Sequence, residues 1–241
     1  MPKFGWDRPW PNLFELADAL PGDKWTLVGG LMVQAHALAH RTAVIRPTDD
    51  LDVLLHIEVI TGVASDTHTA LTKLGYDLLK PMQRKGPAYR YLRGPQRGGD
   101  KIDVMVAGHA APSRAQTLPG GAPMLEVEGG TQALRRTMIY DIDTGNGTVS
   151  ISVPDELGAL VLKSAAHQND SRDPGRHLTD AAALAACIDD HPAERARLVG
   201  SDRSRLRHLA KELANPTHAA WLALPLKQRL AGHDTLRILI G

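Results

Sequence analysis

The sequence predicts an α/β fold, with a small mixed sheet and its helices in residues 1–153 and a helical domain in residues 154–241. Three observations support this prediction. Short apolar segments bounded by Gly and Pro alternate with helical patterns through residue 153. Beyond residue 154 the patterns are helical and no convincing strand follows. A chain of 241 residues is also long enough to bury a sizeable core.

Composition restricts the functional classes. The formal net charge is +1, so any affinity for nucleic acid must come from local patches. Aromatic residues make up 4% of the chain, which argues against a base-stacking platform for single-stranded RNA. Cys187 is the single cysteine, which excludes an internal disulfide and a multi-cysteine zinc site. Because the sequence shows neither a signal-peptide pattern nor a membrane-spanning apolar run, we expect a cytoplasmic protein without membrane partners.

The first elements lead to a glycine turn. Residues 14–20 predict a short helix, and residues 25–28 predict the first strand. Gly29 and Gly30 then turn the chain into an apolar helix. Glycine allows close approach of a ligand to the backbone, and the free N–H groups at a helix N-terminus favour phosphate. A plain strand-to-helix turn would also accommodate this glycine pair.

Two histidines lie on the predicted helix after the glycine turn. His36 and His40 are spaced i, i+4 and share a helix face. The sequence shows no glutamate between them and no third ligand, so it does not favour a metal site here.

The next strand, predicted from Asp50, begins with two carboxylates one residue apart. Side chains alternate along a strand, so Asp50 and Asp52 point to one face while Leu51 and Val53 point to the other. Two such charges about 4 Å apart repel by about 4 kcal/mol at an effective dielectric constant of about 20. Mg²⁺ is the usual neutralising ion, since it takes oxygen ligands from one or two carboxylates and from substrate phosphates.

A helix and three further strands follow. The helix is predicted over residues 60–74, and the strands over 76–79, 88–93 and 101–106. Asp103 alternates with apolar neighbours in the last strand and faces away from their layer. Basic residues surround this hairpin: Arg84, Lys85, Arg90, Arg93, Arg97 and Lys101. They are typical either of a rim that attracts phosphates or of a solvated sheet edge.

A hairpin over residues 137–143 and 148–153 precedes the predicted helical domain. Its first helix begins after Asp155 and carries Lys163 at the edge of an apolar stripe. A lysine in such a position usually extends to water. The next helix contains Asp180 in its first turns, where a carboxylate stabilises the helix dipole. Two nearby arginines, Arg172 and Arg176, are candidate phosphate contacts. A further basic run over residues 195–211 is most simply a solvated helix face.

The segment Val28–His36, followed by Arg46–Leu55, resembles the nucleotidyltransferase superfamily with its polymerase-β-like fold. The Gly29–Gly30 turn and the Asp50-Leu51-Asp52 motif carry this resemblance. The sequence around them is most similar to that of the AbiEii/AbiGii-type toxin nucleotidyltransferases. Two departures stand out. Many members have Gly-Ser in place of the glycine pair, and His177 stands where many members have aspartate.

The resemblance implies a Mg²⁺-dependent (or Mn²⁺-dependent) transfer of a nucleotide from an NTP to an acceptor hydroxyl. Asp50, Asp52 and Asp103 would be the metal ligands, with Asp103 also able to accept the proton of the attacking hydroxyl. Lys163 would hold the triphosphate, while the glycine pair and Asp180 would contribute to nucleotide binding under a closing helical domain. The implied role is a toxin with an RNA (tRNA) or protein acceptor and a cognate antitoxin.

Three other functions remain open at this level. An antibiotic-modifying nucleotidyltransferase would share the glycine pair and the Asp-x-Asp motif, although its acceptor pocket should be acidic. A non-catalytic nucleotide sensor is compatible with the two departures from the family pattern. Transfer of the γ-phosphoryl group, as in a kinase, would use the same donor.

Overall fold

A computed structural model describes residues 6–44, 46–81, 86–108, 117–118 and 121–241. Within these ranges the helices are α1 (Trp10–Ala19), α2 (Gly29–Ala39), α3 (Val63–Lys73), α4 (Gly130–Leu134), α5 (Glu156–Asn169), α6 (Gly175–Ala185), α7 (His191–Ala196), α8 (Asp202–Glu212), α9 (Ala219–Leu222) and α10 (Leu226–Ile240). The strands are β1 (Trp25–Val28), β2 (Asp50–Leu55), β3 (Asp77–Leu78), β4 (Arg90–Arg93), β5 (Asp100–Ala107), β6 (Thr117–Leu118), β7 (Ala122–Pro123), β8 (Leu125–Val127), β9 (Thr137–Asp143) and β10 (Thr148–Pro154).

The main sheet is mixed, which confirms the predicted α/β class. Its strand order is β1-β2-β5-β4-β3, and β8 joins the far half of β5 on the edge that β4 leaves free. The β2–β5 and β5–β8 pairs are parallel, while the other neighbours are antiparallel. The β9–β10 hairpin is a separate two-stranded sheet. Within residues 155–241, all of which are described, the regular elements are helices.

The strand register determines where the carboxylates lie. Asp52 on β2 is paired with Asp103 on parallel β5 and with Val28 at the end of β1. Residues at paired positions of neighbouring strands point to the same face of a sheet. The sheet therefore places Asp52 beside Asp103 and next to the start of α2, which follows β1 directly.

The opposite side of these strands belongs to a continuous hydrophobic core. Leu51, Ile102 and Val104 have no exposed surface, and the same core extends through α5 and α6 as far as α10. Burial of the apolar faces fixes the register, because a slip by one residue would turn the carboxylates inward. Among the described residues, no helix combines the length and the apolar character needed to cross a bilayer.

Several boundaries differ from those that the sequence predicts. Helix α1 begins at Trp10, four residues before the predicted start, and its Pro11 is tolerated in the first turn, where no intrahelical N–H bond is required. Helix α3 begins at Val63 rather than residue 60, because Gly62 adopts a left-handed conformation with φ of 80°. Strand β8 and helix α4, which are short elements of three and five residues, are not predicted from the sequence.

Candidate active site

A cleft of about 470 Å³ separates the carboxylate face of the sheet from α5 and α6. This volume lies in the range of small-molecule sites, about 300–1,000 Å³. The sheet side contributes Asp50, Asp52 and Asp103. The facing side carries the cationic side chains of Lys163, Arg172 and Arg176, together with His177. A cleft with carboxylates on one wall and cations on the other is suited to a polyphosphate with a divalent cation between them.

Arg90 on β4 holds two of the three carboxylates. Its guanidinium donates to both oxygens of Asp103, at 2.7 and 2.6 Å, and to Asp50 at 3.3 Å. Lys101 also donates to Asp50, at 3.2 Å. Burial raises the pKa of Asp103, although the Arg90 hydrogen bond opposes this effect. Two of the carboxylates are therefore already neutralised by the protein.

Asp52 is in a different environment. No described residue donates a hydrogen bond or forms an ion pair with its partly buried carboxylate. Burial, followed by the neighbouring charge of Asp103, raises the pKa of Asp52 to about 7, although Lys163 acts in the opposite direction. Asp52 lies close to two other carboxylates and has no bonded cation. A divalent cation bound here would stabilise its ionised form.

The donor set fits Mg²⁺ with one qualification from the geometry. The three carboxylates do not bring one oxygen each within 4.8 Å of one another, and Arg90 binds two of them. Mg²⁺ needs only one or two carboxylates when phosphate oxygens complete its shell. Asp50 and Asp52 supply that pair, with Asp103 beside them.

The glycine turn lies directly against Asp52. Gly29 has φ of 71°, and a Cβ atom on it would lie 1.8 Å from Asp52 Oδ2. A Cβ atom on Gly30 would lie 2.8 Å from an amino group of Arg46 and 2.8 Å from Thr48 Oγ1. Both positions therefore require glycine, and the N-terminus of α2 opens into the cleft next to the carboxylates.

Lys163 does not extend to water, which is the usual behaviour of a lysine at the edge of an apolar stripe. Its side chain is 5% exposed, and Nζ donates to Asp180 Oδ2 at 2.7 Å. Arg46 donates to the same carboxylate through two nitrogens, at 3.0 and 3.1 Å. Burial acts to raise the pKa of Asp180, but these two cations outweigh it and lower the pKa.

The position of Asp180 differs from that of the other predicted site residues. It is 2% exposed and is not among the residues that line the cleft. Lys163 and Arg46 do line the cleft. The structure thus places Asp180 behind two cations that face the cleft, where it can position them. Its predicted part in nucleotide binding would be indirect.

Three charged residues that were not predicted as site residues also line the cleft. These are Arg46, Asp170 and Asp173, and sequence reasoning gave Arg90 only a place in a basic rim. That rim is largely neutralised within the described residues: Arg93 pairs with Glu15 and Asp100, and Lys101 pairs with Asp50. Arg84 and Lys85 lie outside the described residues.

His177 is buried at the cleft with one nitrogen free of described partners. Its Nε2 lies 3.1 Å from Asp170 Oδ2, and its Nδ1 has no hydrogen-bond partner among the described residues. Burial, followed by the nearby charge of Lys163, lowers the pKa of His177 to about 4. The imidazole is therefore neutral at physiological pH, with Nε2–H donated to Asp170 and an unprotonated Nδ1.

We expect His177 to make the protein less stable as the pH falls from about 6.5 to about 4. In this range the unfolded chain binds a proton at His177 that the folded chain excludes, so the free energy of unfolding decreases by about 1–3 kcal/mol. Urea unfolding at several pH values measures this loss. His177→Asn retains a donor for Asp170 and should flatten the slope in this window; an unchanged slope would contradict the assignment.

Comparisons with known proteins give one structural likeness. No family model matches the chain, and no curated protein matches it. The fold is similar to a crystal structure described as an antigenic nucleotidyltransferase-like protein from Paracoccidioides brasiliensis, with 15% sequence identity and a TM-score of 0.48, over 81% of this chain and 83% of that one. Similarity at this level carries no argument about activity.

Proposed function

We propose that the protein is a nucleotidyltransferase that moves a nucleoside monophosphate from an NTP to an acceptor hydroxyl. One observation carries the proposal. The unpaired carboxylate of Asp52 lies against the glycine turn at the start of α2 and shares a cleft with three cationic side chains that α5, α6 and their connection provide. The sequence resemblance to nucleotidyltransferases, stated on the same residues, agrees with this proposal.

The cationic wall binds the triphosphate. Lys163 is held by Asp180 at 2.7 Å, so its ammonium group is fixed in direction rather than free to rotate. Arg172 and Arg176 lie at the same cleft, and arginine presents a planar donor set that matches phosphate oxygens. The backbone N–H groups at the start of α2 add donors without side chains, and Gly29 and Gly30 both line the cleft.

Asp50 and Asp52 would hold Mg²⁺ or Mn²⁺, which would supply neutralisation of the charge that develops on the phosphates. In the reaction, the acceptor oxygen forms a bond to the α-phosphorus while the bond to the bridging oxygen breaks and pyrophosphate leaves. Asp103 would accept the hydroxyl proton, and burial supports this role because it raises the pKa of Asp103. Arg90 keeps Asp103 oriented during this transfer.

The sequence resemblance to toxin nucleotidyltransferases also suggests an acceptor and a partner. We propose an RNA such as tRNA as the acceptor, with a protein acceptor as the second choice, and a toxin role that a cognate antitoxin restrains. The charge of the cleft agrees with a polyanionic acceptor better than with a cationic antibiotic, because the wall opposite the carboxylates carries arginines.

Labelled NTPs test the proposal. The full-length protein is incubated with Mg²⁺, total RNA and each NTP carrying label at the α- or the γ-phosphate. We expect α-label to enter RNA, with release of pyrophosphate. Transfer of γ-label would make the protein a kinase, and transfer to an aminoglycoside but not to RNA would make it an antibiotic-modifying enzyme. NTP binding without transfer to RNA, protein or antibiotic would overturn the proposal in favour of a sensor.

A further inference from the structure

A second group of metal-ligating side chains lies outside the cleft lining. His36 and His40 on α2 and Glu156 at the start of α5 each offer one ligand atom, and these atoms all lie within 4.8 Å of one another. Within the described part of the chain, this is the one group of three His, Cys, Asp or Glu side chains with that property. The expectation that the two histidines lack a third ligand is therefore wrong, because the fold brings Glu156 to them.

Hydrogen bonding to the backbone orients the buried histidine. His36 has no exposed surface, and its Nε2 lies 2.9 Å from the carbonyl oxygen of Pro154. A carbonyl can only accept, so Nε2 carries the proton and Nδ1 presents a lone pair towards Glu156, 3.6 Å away. A histidine that binds a metal through one ring nitrogen usually donates a hydrogen bond from the other, often to a carbonyl, and this bond orients the ring.

The other two ligands are anchored but reachable from solvent. His40 Nε2 lies 2.7 Å from Glu156 Oε1, and their side chains are 26% and 19% exposed. Glu156 lies in the first turn of α5, where the helix dipole favours an ionised carboxylate. The group thus combines one buried ligand with an open side through which an ion can enter.

The separations are close to those of a zinc site. Ligand bonds of about 2.0–2.2 Å in a tetrahedral arrangement place ligand atoms about 3.4 Å apart. The observed separations of 2.7 and 3.6 Å bracket this value. Two histidines and a glutamate form a recognised zinc ligand set that leaves one position open.

We propose that His36, His40 and Glu156 bind one Zn²⁺ ion that joins α2 to α5. These helices form two walls of the cleft. His36 lies about 9 Å along α2 from Gly30, and Glu156 lies about 10 Å along α5 from Lys163, at 1.5 Å per residue. Zinc at this point would fix the glycine turn relative to the lysine without contacting the nucleotide. The ion would therefore be separate from the carboxylates of the cleft.

Binding requires defined proton changes. The proton between His40 Nε2 and Glu156 is released or moves to His40 Nδ1, since both atoms of this contact become ligands. Tyr140 now shares a hydrogen bond with His36 Nδ1 at 2.9 Å, so its hydroxyl must turn to Glu156, with which it also interacts. Zinc and the tyrosine proton compete for one lone pair, so zinc affinity should rise in Tyr140→Phe.

Zinc titration of the metal-free full-length protein tests the proposal. We expect one Zn²⁺ per chain by calorimetry and a higher melting temperature with zinc. His40→Gln and Glu156→Gln should each weaken binding more than about 100-fold, beyond the 10–100-fold typical of residues behind the ligands. His208→Gln, which changes the other contacting histidine pair of the described residues, should bind zinc as the natural chain does.

Other outcomes would overturn the site. Zinc binding that survives both ligand substitutions, or that is lost in Asp52→Asn instead, would place the ion elsewhere. Absence of stoichiometric binding would make the three side chains a hydrogen-bonded cluster only. With Co²⁺ in place of zinc, a thiolate charge-transfer band would identify Cys187 as a ligand and contradict the set of two histidines and a glutamate.

Discussion

Asp52→Asn is expected to abolish nucleotidyl transfer and, without divalent cations, to make the protein more stable. The catalytic loss follows from removing Asp52, the one of the three sheet carboxylates at the cleft that has no bonded partner among the described residues. Loss of several kcal/mol of charge stabilisation corresponds to at least about 10³-fold in rate. The α-label assay with RNA measures it. The gain in stability follows from removing one of three crowded negative charges.

The gain should depend on pH with a definite sign. The pKa of Asp52 is raised to about 7 in the folded chain from 3.8 in the unfolded chain. Between these values the folded chain binds more protons at Asp52, so its contribution to stability is present below about pH 4 and is lost as the pH rises through about 7. The advantage of Asp52→Asn should therefore grow towards pH 8, where we expect about 1–2 kcal/mol, or several degrees in melting temperature.

Asp77→Asn is the matched control, because Asp77 is an exposed aspartate on β3 of the same sheet. It makes the same change in charge and should alter neither the label transfer nor the stability at pH 8. In the natural protein Mg²⁺ should restore the stability that the carboxylates cost, and it should add little to Asp52→Asn. If Asp52→Asn retains full transfer, or is less stable than the natural chain at pH 8, the carboxylate cleft does not act as proposed.

The carboxylates could be predicted from the sequence because their arrangement is local. The spacing of Asp50 and Asp52 on one apolar strand already determines that they share a face, and the observed strand begins at Asp50 as predicted. Asp103 could be assigned to the same region from its own strand pattern. Its exact pairing opposite Asp52 needs the parallel register of β2 and β5, which one strand alone does not reveal.

The contacts of Arg90 and Glu156 could not be predicted, since each depends on elements far apart in the chain. Arg90 reaches Asp103 because β4 pairs with β5 in one particular register. Glu156 lies 116 positions from His40 in the sequence. Its place in the first turn of a helix is already explained by the favourable interaction of a carboxylate with the helix dipole. The adjacent Asp155 does cap α5, accepting from the backbone N–H of Gly158 at 2.8 Å. A residue with one sufficient local explanation gives no signal of a distant contact.

Lys163 illustrates the same limit for burial. Its position at the edge of the apolar stripe predicts that the side chain is exposed. Only the packing of α6 on α5 places the carboxylate of Asp180 where the ammonium group would otherwise meet water. The resemblance identified both Lys163 and Asp180 as functional positions. It could not indicate that the two residues form a buried pair.

Asp180→Ala is expected to lower the free energy of unfolding by about 3–5 kcal/mol, since it leaves buried Lys163 without its counter-ion. Arg46, which is 27% exposed, loses the same partner but can turn towards water. Urea unfolding of the purified chain measures the change. Asp234→Ala is the matched control: it breaks an exposed aspartate–arginine pair on α10 and should cost less than about 1 kcal/mol.

The double variant Asp180→Ala, Lys163→Met separates the charge from the loss of packing. Removing both members of a buried pair eliminates the unpaired charge, so the double variant should be more stable than Asp180→Ala alone. It should nevertheless remain inactive, because methionine supplies no cation to the triphosphate. If the two substitutions destabilise additively, the 2.7 Å contact contributes little to the fold. If the stable double variant still transfers label at the natural rate, Lys163 is a structural residue and the phosphates are bound by the arginines of the cleft.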